Sequence, residues 1–288
     1  MAPNSQNFVE EPVEETPLFT KEHLEFLNEG LAKLTPQEIV EWATITIPNL
    51  YQTTAFGLSG LVILDMISKV SLERAEKNGT QPQHLVPLVF LDTLYHFPET
   101  IDLAHRAAAH YNAPLKVYKP VGCSTAEDLE RIHGQKLWEA DEDIYDYLVK
   151  VEPAQRAYRE NRVKAVITGR RRSQRGEREA LKILEVENGT GLVKLNPLAH
   201  WDFQKVWTYI RANEVPYNPL IDQGYRSIGD WHSTKPVSNT SNNERAGRWE
   251  GQAKSECGLH KDYFQMRAAF LAARERRAGA TLARQVTV

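Results

Sequence analysis

The stretch Val86-Pro87-Leu88-Val89-Phe90-Leu91 is an apolar run that ends at the polar pair Asp92-Thr93. A short apolar run with polar residues at its end predicts a β-strand. Upstream lies a helix pattern, in which apolar residues recur at the i, i+3, i+4, i+7 spacing of one face: Ile63, Met66, Ile67 and Val70. A strand that follows such a helix indicates a βαβ unit, and therefore a largely parallel sheet.

The same alternation continues along the chain. Further strands are predicted at residues 51–56, 115–118 and 164–168, and further helices at residues 99–111 and 261–277. One face of the last helix carries four apolar or aromatic residues: Tyr263, Met266, Phe270 and Ala273. Capping boxes predict helix starts at Thr35-Pro36-Gln37-Glu38 and at Ser124-Thr125-Ala126-Glu127. The predicted fold class is α/β with a largely parallel, doubly wound sheet.

Composition changes along the chain suggest three regions. Residues 1–19 are acidic and contain three prolines, so they are expected to form a disordered lead-in. Residues 20–216 are expected to form a nucleotide-binding α/β domain that includes the N-terminal helices. Residues 217–288 form a C-terminal arm, because residues 222–258 are rich in Gly, Ser, Asn, Arg and Trp and show little aliphatic periodicity. Long irregular segments of this kind are usually functional.

Composition also excludes several classes of protein. The 288 residues carry a formal net charge of -3, so the chain as a whole is not built to bind nucleic acid. The sequence has no apolar run long enough to span a membrane and no secretory pattern at its acidic start, which predicts a cytoplasmic protein. Its two cysteines, Cys123 and Cys257, form no Cys-x-x-Cys motif. A zinc ribbon, a cysteine-ligated iron–sulfur cluster and a dithiol redox site therefore lack their ligands.

Three polar clusters follow predicted strands, where parallel sheets bind ligands. Thr53-Thr54-Ala55-Phe56-Gly57 leads into a helix and could hold a phosphate, or could be an ordinary turn. Asp92-Thr93 could bind a ribose or a base edge, or could simply cap a helix. Gly169-Arg170-Arg171-Arg172-Ser173-Gln174-Arg175 concentrates guanidinium groups that suit phosphate or sulfate, unless it is a solvated basic face. The sequence thus predicts an anion site at this edge of the sheet.

Cys257 is the candidate nucleophile. Its neighbours are polar, and four cationic or titratable side chains are close in sequence: Arg245, Arg248, Lys254 and His260. Nearby cations favour the thiolate form of a cysteine, although Glu244, Glu250 and Glu256 oppose them. Cys123 has no comparable cations nearby and is interpreted as structural.

Eight sequence blocks occur in a set order within residues 45–262. They are Thr54-Ala55-Phe56-Gly57, Leu91-Asp92-Thr93-Leu94-Tyr95-His96-Phe97-Pro98-Glu99-Thr100, Lys136-Leu137-Trp138-Glu139, Lys150-Val151-Glu152-Pro153, Thr168-Gly169-Arg170-Arg171-Arg172-Ser173-Gln174, Gly224-Tyr225-Arg226-Ser227-Ile228-Gly229-Asp230, Glu244-Arg245-Ala246-Gly247-Arg248-Trp249 and Glu256-Cys257-Gly258-Leu259-His260. In this order the chain resembles the thioredoxin-dependent phosphoadenylyl-sulfate (PAPS) reductases, and its blocks are most similar to those of the fungal members.

The resemblance implies a fold of the adenine-nucleotide α-hydrolase type. Relatives of that fold that cleave ATP carry Ser-Gly-Gly-x-Asp-Ser in the first loop, whereas Thr53-Thr54-Ala55-Phe56-Gly57 lacks the acidic residue. This difference argues against ATP pyrophosphate chemistry and against a required magnesium ion. Reductases of adenylyl sulfate (APS) typically add a Cys-Cys pair and a Cys-x-x-Cys for an iron–sulfur cluster, and this sequence has neither. PAPS is therefore the expected substrate, with no bound cofactor.

The resemblance also implies a mechanism. The Cys257 thiolate attacks the sulfo sulfur of PAPS, adenosine 3′,5′-bisphosphate leaves, and thioredoxin releases sulfite from the resulting thiosulfonate. Four residues should surround the sulfo group: Lys136, Arg245, Arg248 and His260. Five should hold the adenosine and its 5′-phosphate: Thr54, Phe56, Gly57, Asp92 and Thr93. Arg170 and Arg171 should face phosphate. The family also leads us to expect a homodimer.

Three other functions remain open at this point. The chain could reduce APS, it could be an ATP-dependent adenylyltransferase of the same fold, or it could bind a nucleotide without catalysis. The adenylyltransferase would stay active when Cys257 is replaced by serine, whereas the reductase would lose sulfite release and keep its nucleotide affinity. A non-catalytic protein would bind the bisphosphate and show no turnover with thioredoxin.

Overall fold

The computed structural model of the protein describes residues 18–187, 190–237, 244–249, 258–260 and 263–286. Nearly all of the predicted acidic lead-in, and Cys257, lie outside the described residues. The helices are α1 (Lys21–Leu31), α2 (Pro36–Thr46), α3 (Leu58–Asn78), α4 (Pro98–His110), α5 (Ala126–His133), α6 (Leu137–Ala140), α7 (Glu142–Asp146), α8 (Glu152–Glu160), α9 (Phe203–Ala212) and α10 (Tyr263–Val286). The strands are β1 (Leu50–Thr53), β2 (Leu88–Leu91), β3 (Leu115–Tyr118), β4 (Ala165–Ile167), β5 (Leu184–Val186) and β6 (Val193–Leu195).

The six strands form one sheet in the order β3-β2-β1-β4-β6-β5. Neighbouring strands from β3 to β6 pair in parallel, and β5 pairs antiparallel with β6 at the edge. The chain fills the sheet from β1 outward to β3, then returns to the other side of β1 with β4. The predicted α/β fold with a largely parallel sheet is confirmed.

Both faces of the sheet are covered by helices. Leu88 and Phe90 of β2 belong to the main hydrophobic core, which also takes in buried residues of α3, α4 and α9. Val89 and Leu91, which alternate with them, face the opposite side and join a second cluster that includes Ala154 of α8. A strand buried on both faces is apolar throughout, which explains the apolar run at 86–91. The prediction of a doubly wound sheet is also confirmed.

Helix α3 begins where the loop after β1 ends, and it crosses behind the sheet. Its predicted apolar face is buried in the core, since Ile63, Met66, Ile67 and Val70 are all at most 2% exposed. Gly79 ends the helix in the left-handed conformation, with φ 63, where a side chain would be strained. The sequence pattern therefore predicted both the helix and the face that it buries.

One of the two predicted capping boxes is confirmed, and the other is shifted by one residue. At α2, the Thr35 hydroxyl accepts the Glu38 N–H and the Glu38 carboxylate accepts the Thr35 N–H, as predicted. At α5 the box starts one residue later than predicted, at Thr125 rather than Ser124. The reason is that Asp128 reaches back to accept the N–H groups of both Ser124 and Thr125, so Asp128 takes the place expected for Glu127.

Some strands differ from the prediction. β1 ends at Thr53 because the Thr54 hydroxyl then accepts the Phe56 N–H (2.9 Å) and Phe56 adopts a positive φ of 55. These contacts turn the chain into α3. β5, β6 and α9 were not predicted from the sequence, and neither were α6, α7 and α8. Strands of three residues such as β6, whose middle residue is Lys194, give too little alternation to be recognised.

The described parts of the C-terminal arm pack against the α/β layers. The Trp231 N–H donates to the Tyr95 carbonyl, which ties the arm to the loop after β2. On α10, Met266 is buried, and Tyr263, Phe270 and Ala273 pack on the same cluster, so its predicted face is confirmed. The Phe270 ring stacks on Tyr147 with 4.7 Å between centroids. In the part of the chain that the structure describes, no helix is both long and apolar enough to cross a bilayer.

The main hydrophobic core, which contains the buried residues of α3, should contribute most to the stability of the fold. Ile63→Ala removes a fully buried side chain and should lower the free energy of unfolding by about 2–5 kcal/mol. Ile45→Ala, at a position on α2 that is 71% exposed, is the matched control and should change it by less than about 0.5 kcal/mol. Urea unfolding followed by circular dichroism measures both. Equal effects of the two substitutions would contradict the assigned core.

Candidate active site

A cavity of about 300 Å³ lies at the carboxyl ends of β1, β2 and β4. Thr53 ends β1 and residues 54–60 follow it, Leu91 and Thr93 mark the end of β2, and residues 168–171 follow β4. All of these residues line the cavity. The order of the strands reverses between β1 and β4, because β2 lies on one side of β1 and β4 on the other. Such a switch point is where open parallel sheets bind their ligands. The C-terminal arm covers the cavity with residues 226–230, among others.

The loop after β1 brings the start of α3 to the cavity. Gly57 precedes the helix and provides no side-chain cap, and residues 57–60 of the first turn line the cavity. The loops are closely packed here, since a Cβ at Gly60 would lie 2.6 Å from Thr54 Oγ1 and one at Gly169 would lie 3.1 Å from the Gly60 nitrogen. A helix N-terminus in a tight loop is favourable for a phosphate group.

The cavity is strongly cationic although the chain is not. Its described lining includes eight cationic side chains: Lys150, Arg170, Arg171, Arg178, Lys194, Arg226, Arg245 and Arg248. The same lining has three carboxylates: Glu187, Asp230 and Glu244. This excess of positive charge sits in a chain whose formal net charge is -3. The cavity is thus suited to an anionic ligand.

The arginine-rich loop after β4 is tied to carboxylates. Arg171 is 2% exposed and forms two hydrogen bonds to the Glu244 carboxylate, and its Nε donates to Ser59 Oγ at 2.9 Å. Arg170 pairs with Glu185 at 2.7 Å. Both arginines line the cavity, and the role predicted for them toward phosphate stays a prediction. In the structure, Arg171 holds the segment 244–249 beside the start of α3 through its contacts with Glu244 and Ser59.

That segment carries Arg245 and Arg248, which also line the cavity. Their guanidinium groups lie over the Trp249 ring, at 5.3 and 4.4 Å from its centroid. Arg248 packs directly against Gly229, where a Cβ would overlap its guanidinium group. Stacking on an aromatic ring orients a guanidinium without neutralising its charge. Both arginines predicted to surround the sulfo group therefore lie at the cavity.

A buried ionic network forms one wall of the cavity. Lys150 Nζ lies between two carboxylates, 2.8 Å from Asp146 Oδ1 and 3.0 Å from Asp230 Oδ2. Asp230 also accepts hydrogen bonds from Thr93 Oγ1 at 2.6 Å and from the Tyr145 hydroxyl at 3.1 Å. The side chains of Asp146 and Asp230 are at most 2% exposed. The network joins the loop after β2 to the π-helical turn Tyr147–Val151, which lies between α7 and α8, and to the C-terminal arm.

The surroundings of Asp230 decide its protonation state. Burial alone would raise the pKa of Asp230, but the Lys150 ammonium, His96 and the hydrogen bond from Thr93 together hold it well below the usual range of an aspartate. Burial and the nearby Asp230 charge raise the pKa of the Tyr145 hydroxyl well above its ordinary value. Asp230 is therefore an anion and Tyr145 a neutral donor at neutral pH.

The segment that follows the candidate nucleophile attaches to this network. The Gly258 N–H donates to Asp146 Oδ2 at 2.8 Å. Leu259, the next residue, lines the cavity, and so does Tyr263 at the start of α10. Cys257 lies outside the described residues, and so does the side chain of His260. The described part of the chain thus reaches the cavity at Leu259, two residues after Cys257.

Two predicted residues lie away from the cavity. Asp92 is buried, accepts the Leu94 N–H at 2.9 Å and pairs with Lys119 at 3.4 Å. Lys136 precedes α6, is 65% exposed and pairs with Glu139 at 3.2 Å. Neither is among the lining residues, whereas the predicted Thr54, Phe56, Gly57 and Thr93 are. The roles predicted for all of these residues stay predictions.

Cys123, the other cysteine, has the surroundings of a structural thiol. It is a free, buried thiol in the cluster that includes Leu129 and Tyr145. Burial and the nearby Asp128 carboxylate raise the pKa of Cys123, which disfavours its thiolate. Within the described ranges, no three His, Cys, Asp or Glu side chains are placed to hold a metal ion.

The sequence analysis gave no role to Lys150, Asp146 or Asp230. Lys150 and Asp230 stand in two of the eight blocks, Lys150-Val151-Glu152-Pro153 and Gly224-Tyr225-Arg226-Ser227-Ile228-Gly229-Asp230. The one local signal for Lys150 is that it is a lysine in an otherwise apolar turn of helix. Asp146 stands outside every block, and no local pattern marks it.

Comparisons with known proteins identify the family of the chain. A family model, the phosphoadenosine phosphosulfate reductase domain, matches residues 49–236. The phosphoadenosine phosphosulfate reductases of Emericella nidulans and Saccharomyces cerevisiae are 54% and 50% identical to this chain, over 84% and 85% of it and 76% and 92% of their own lengths. A crystal structure of the Candida auris PAPS reductase in a phosphate complex superposes with a TM-score of 0.66 at 53% identity, over 75% of this chain and 98% of that one.

The parallel sheet, the cavity at its switch point and the helix N-terminus there define an α/β protein of the adenine-nucleotide α-hydrolase type. Within that class, the family model covers well over half of the chain, and the two fungal relatives are 54% and 50% identical over 84% and 85% of it. The chain belongs to the phosphoadenosine phosphosulfate reductase family.

The ionic network makes a prediction about pH. Asp230→Asn leaves the Lys150 ammonium less compensated in a buried site and should lower the free energy of unfolding by about 3 kcal/mol at pH 7. The folded-state pKa of Asp230 is lowered, so its stabilisation is present above the unfolded pKa of about 3.9 and is lost as the pH falls below that value. The difference between wild type and Asp230→Asn should thus be constant from about pH 5 to 8 and should shrink below about pH 4.

Urea unfolding of both proteins across this pH range measures the difference. Asp102→Asn, whose side chain is 63% exposed in its pair with Arg106, should change the stability by less than about 0.5 kcal/mol at every pH. A difference for Asp230→Asn that grows on acidification would show that Asp230 is not held as an anion.

Proposed function

We propose that this protein reduces PAPS to sulfite and adenosine 3′,5′-bisphosphate, with thioredoxin as the reductant and a thiosulfonate on Cys257 as the intermediate. In this role it would serve assimilatory sulfate reduction, which supplies sulfur for cysteine and methionine. The fungal relatives that are 50–54% identical over 84–85% of this chain carry the name of this activity. PAPS reduction is also the activity that the cavity and its surrounding residues support best.

One observation carries the proposal. The cationic cavity at the switch point meets the chain segment that follows Cys257, because Gly258 is hydrogen-bonded to Asp146 and Leu259 lines the cavity. An anionic nucleotide in the cavity would therefore have its reactive end near the residue bonded to Gly258. That residue is a cysteine, the only one besides the buried Cys123.

The first chemical step is a displacement at sulfur. The Cys257 thiolate forms a bond to the sulfo sulfur, and the bond from that sulfur to the bridging oxygen of the 5′-phosphate breaks, with its electron pair leaving on the bisphosphate. A thioredoxin thiolate then attacks Cys257 Sγ and expels sulfite. The second thioredoxin thiolate attacks the mixed disulfide and restores the Cys257 thiolate. Thioredoxin supplies the two electrons that take sulfur from sulfate to sulfite, as in thiol–disulfide exchange.

Positive charge is the main requirement of the first step, since a thiolate must approach a substrate that already carries several negative charges. Arg245 and Arg248 at the cavity wall would reduce that repulsion and stabilise charge on the leaving bisphosphate. Lys136 and His260 were predicted to act with them. Thr54, Phe56, Gly57 and Thr93 would contact the adenosine and its 5′-phosphate, and Arg170 and Arg171 would face phosphate groups.

Several finer points belong to the same proposal. The reaction needs no bound cofactor, because the thiols of Cys257 and thioredoxin carry out the redox chemistry. We also propose a homodimer, on the strength of the family resemblance alone, and a cytoplasmic location, as predicted from the sequence. Asp92 and Lys136 would have to move toward the cavity to contact substrate directly, because neither lines it in the structure.

Intact-mass spectrometry tests the intermediate directly. After mixing with PAPS and no reductant, the wild-type protein should gain one sulfo group that maps to Cys257 and is released as sulfite by reduced thioredoxin. Cys257→Ser should form no adduct, release no sulfite and keep its affinity for adenosine 3′,5′-bisphosphate. Cys123→Ser is the matched control and should behave as wild type.

Other outcomes would point to other functions. Adduct formation on Cys123, or none at all, would contradict the proposed mechanism. A faster adduct with APS than with PAPS would make the protein an APS reductase. Tight binding of the bisphosphate with no turnover would indicate a nucleotide-binding protein without catalysis.

A further inference from the structure

Gly258 is attached to the protein interior by one buried carboxylate. Its N–H donates to Asp146 Oδ2 at 2.8 Å, across 112 residues of sequence. Asp146 is the last residue of α7 and is fully buried. A buried carboxylate that accepts a backbone N–H gives a charge-assisted hydrogen bond, which is shorter and stronger than one between neutral groups.

The contact leaves no room for a side chain at position 258. A Cβ built on Gly258 would lie 2.6 Å from Asp146 Cβ and 2.9 Å from Met266 Cε. Met266 could give way at its flexible end, but Asp146 Cβ is held by the backbone of α7. Glycine after Cys257 is thus the residue that allows the chain to approach Asp146 this closely.

Asp146 uses its second oxygen elsewhere in the same network. Its Oδ1 accepts from Lys150 Nζ at 2.8 Å, and Lys150 bridges to Asp230, which accepts from Thr93. Lys150, Asp230 and Thr93 line the cavity, whereas Asp146 does not. The peptide that follows Cys257 is thereby connected to the cavity wall through side chains that are almost wholly buried.

We propose that Asp146 is a positioning residue for the sulfo-transfer step: it holds the Gly258 amide, and so places Cys257 relative to the nucleotide. This inference rests on the proposed function of Cys257 as the nucleophile. Displacement at sulfur requires the thiolate in line with the leaving oxygen, and a misplacement of about 1 Å can slow such a step about 100-fold. Asp146 acts through Gly258 and the Cys257 backbone and has no contact with substrate in this role.

Asp146→Asn is the main test because it keeps the size of the side chain. The Asp146 carboxylate gives one oxygen to Lys150 Nζ and the other to the Gly258 N–H, whereas asparagine has a single oxygen and turns its NH2 group toward one of these donors. The rate of sulfo-adduct formation on Cys257 at saturating PAPS, without reductant, should fall about 10- to 100-fold. The affinity for adenosine 3′,5′-bisphosphate should change by less than about threefold, because Asp146 does not line the cavity.

Gly258→Ala tests the same contact from the other side. Its Cβ should force the segment away from Asp146 and should slow adduct formation to a similar extent, with the affinity for the bisphosphate kept. Gly30→Ala is the matched control, because a Cβ there meets nothing within 4 Å, and it should react as wild type. If either Asp146→Asn or Gly258→Ala fails to fold, the other variant decides the question.

The outcomes separate this inference from the function on which it rests. If wild type forms the Cys257 adduct and both variants form it at the wild-type rate, the positioning role of Asp146 is wrong and the function stands. A loss of nucleotide affinity or of thermal stability that accounts for the slower adduct would also overturn it, because the role would then be structural. If wild type forms no adduct, the proposed function fails first.

Discussion

The structure depends on one buried ammonium group. Lys150 Nζ lies between Asp146 and Asp230, and these two carboxylates hold opposite parts of the site. Asp230 binds Thr93 from the loop after β2, and Asp146 binds Gly258 from the C-terminal arm. Without the ammonium, two buried carboxylates would repel each other, and burial would favour their neutral forms. Lys150 thus bridges two buried carboxylates, and each carboxylate binds a segment near the cavity.

The sheet provides the frame in which this works. β1, β2 and β4 end at the same edge, so the loops that follow them meet around one cavity, with the start of α3 directed into it. The arm closes the other side through an ion pair between Arg171 and Glu244 and a hydrogen bond from the Gly258 N–H to Asp146. Residues 244 and 258 lie on either side of Cys257 in the sequence. Glu244 lines the cavity, and Gly258 is bound to Asp146, next to Leu259, which also lines it.

Much of the fold could be predicted from local patterns, and much of the site could not. The apolar run at 86–91 and the face of α3 indicated a parallel sheet, because burial on both faces leaves a visible trace in a single segment. Strand β6, with three residues, leaves none. The partners of Arg171 and Gly258 lie 73 and 112 residues away, and such contacts exist only once the chain is folded. The sequence therefore indicated the arginines and Cys257 as candidate site residues. It did not indicate the carboxylates that bind Arg171 and Gly258. The cavity alone suits any anionic nucleotide. The family resemblance is what identified PAPS as the expected substrate.

A crystal structure of the Cys257→Ser variant with PAPS bound tests the central claim most directly. The account predicts PAPS in the cavity at the ends of β1, β2 and β4, with the side-chain oxygen at position 257 within about 3.5 Å of the sulfo sulfur and in line with the leaving oxygen. It also predicts the Gly258 N–H still bound to Asp146. A nucleotide bound outside this cavity, or a position 257 turned away from the sulfo group while Gly258 remains on Asp146, would contradict it.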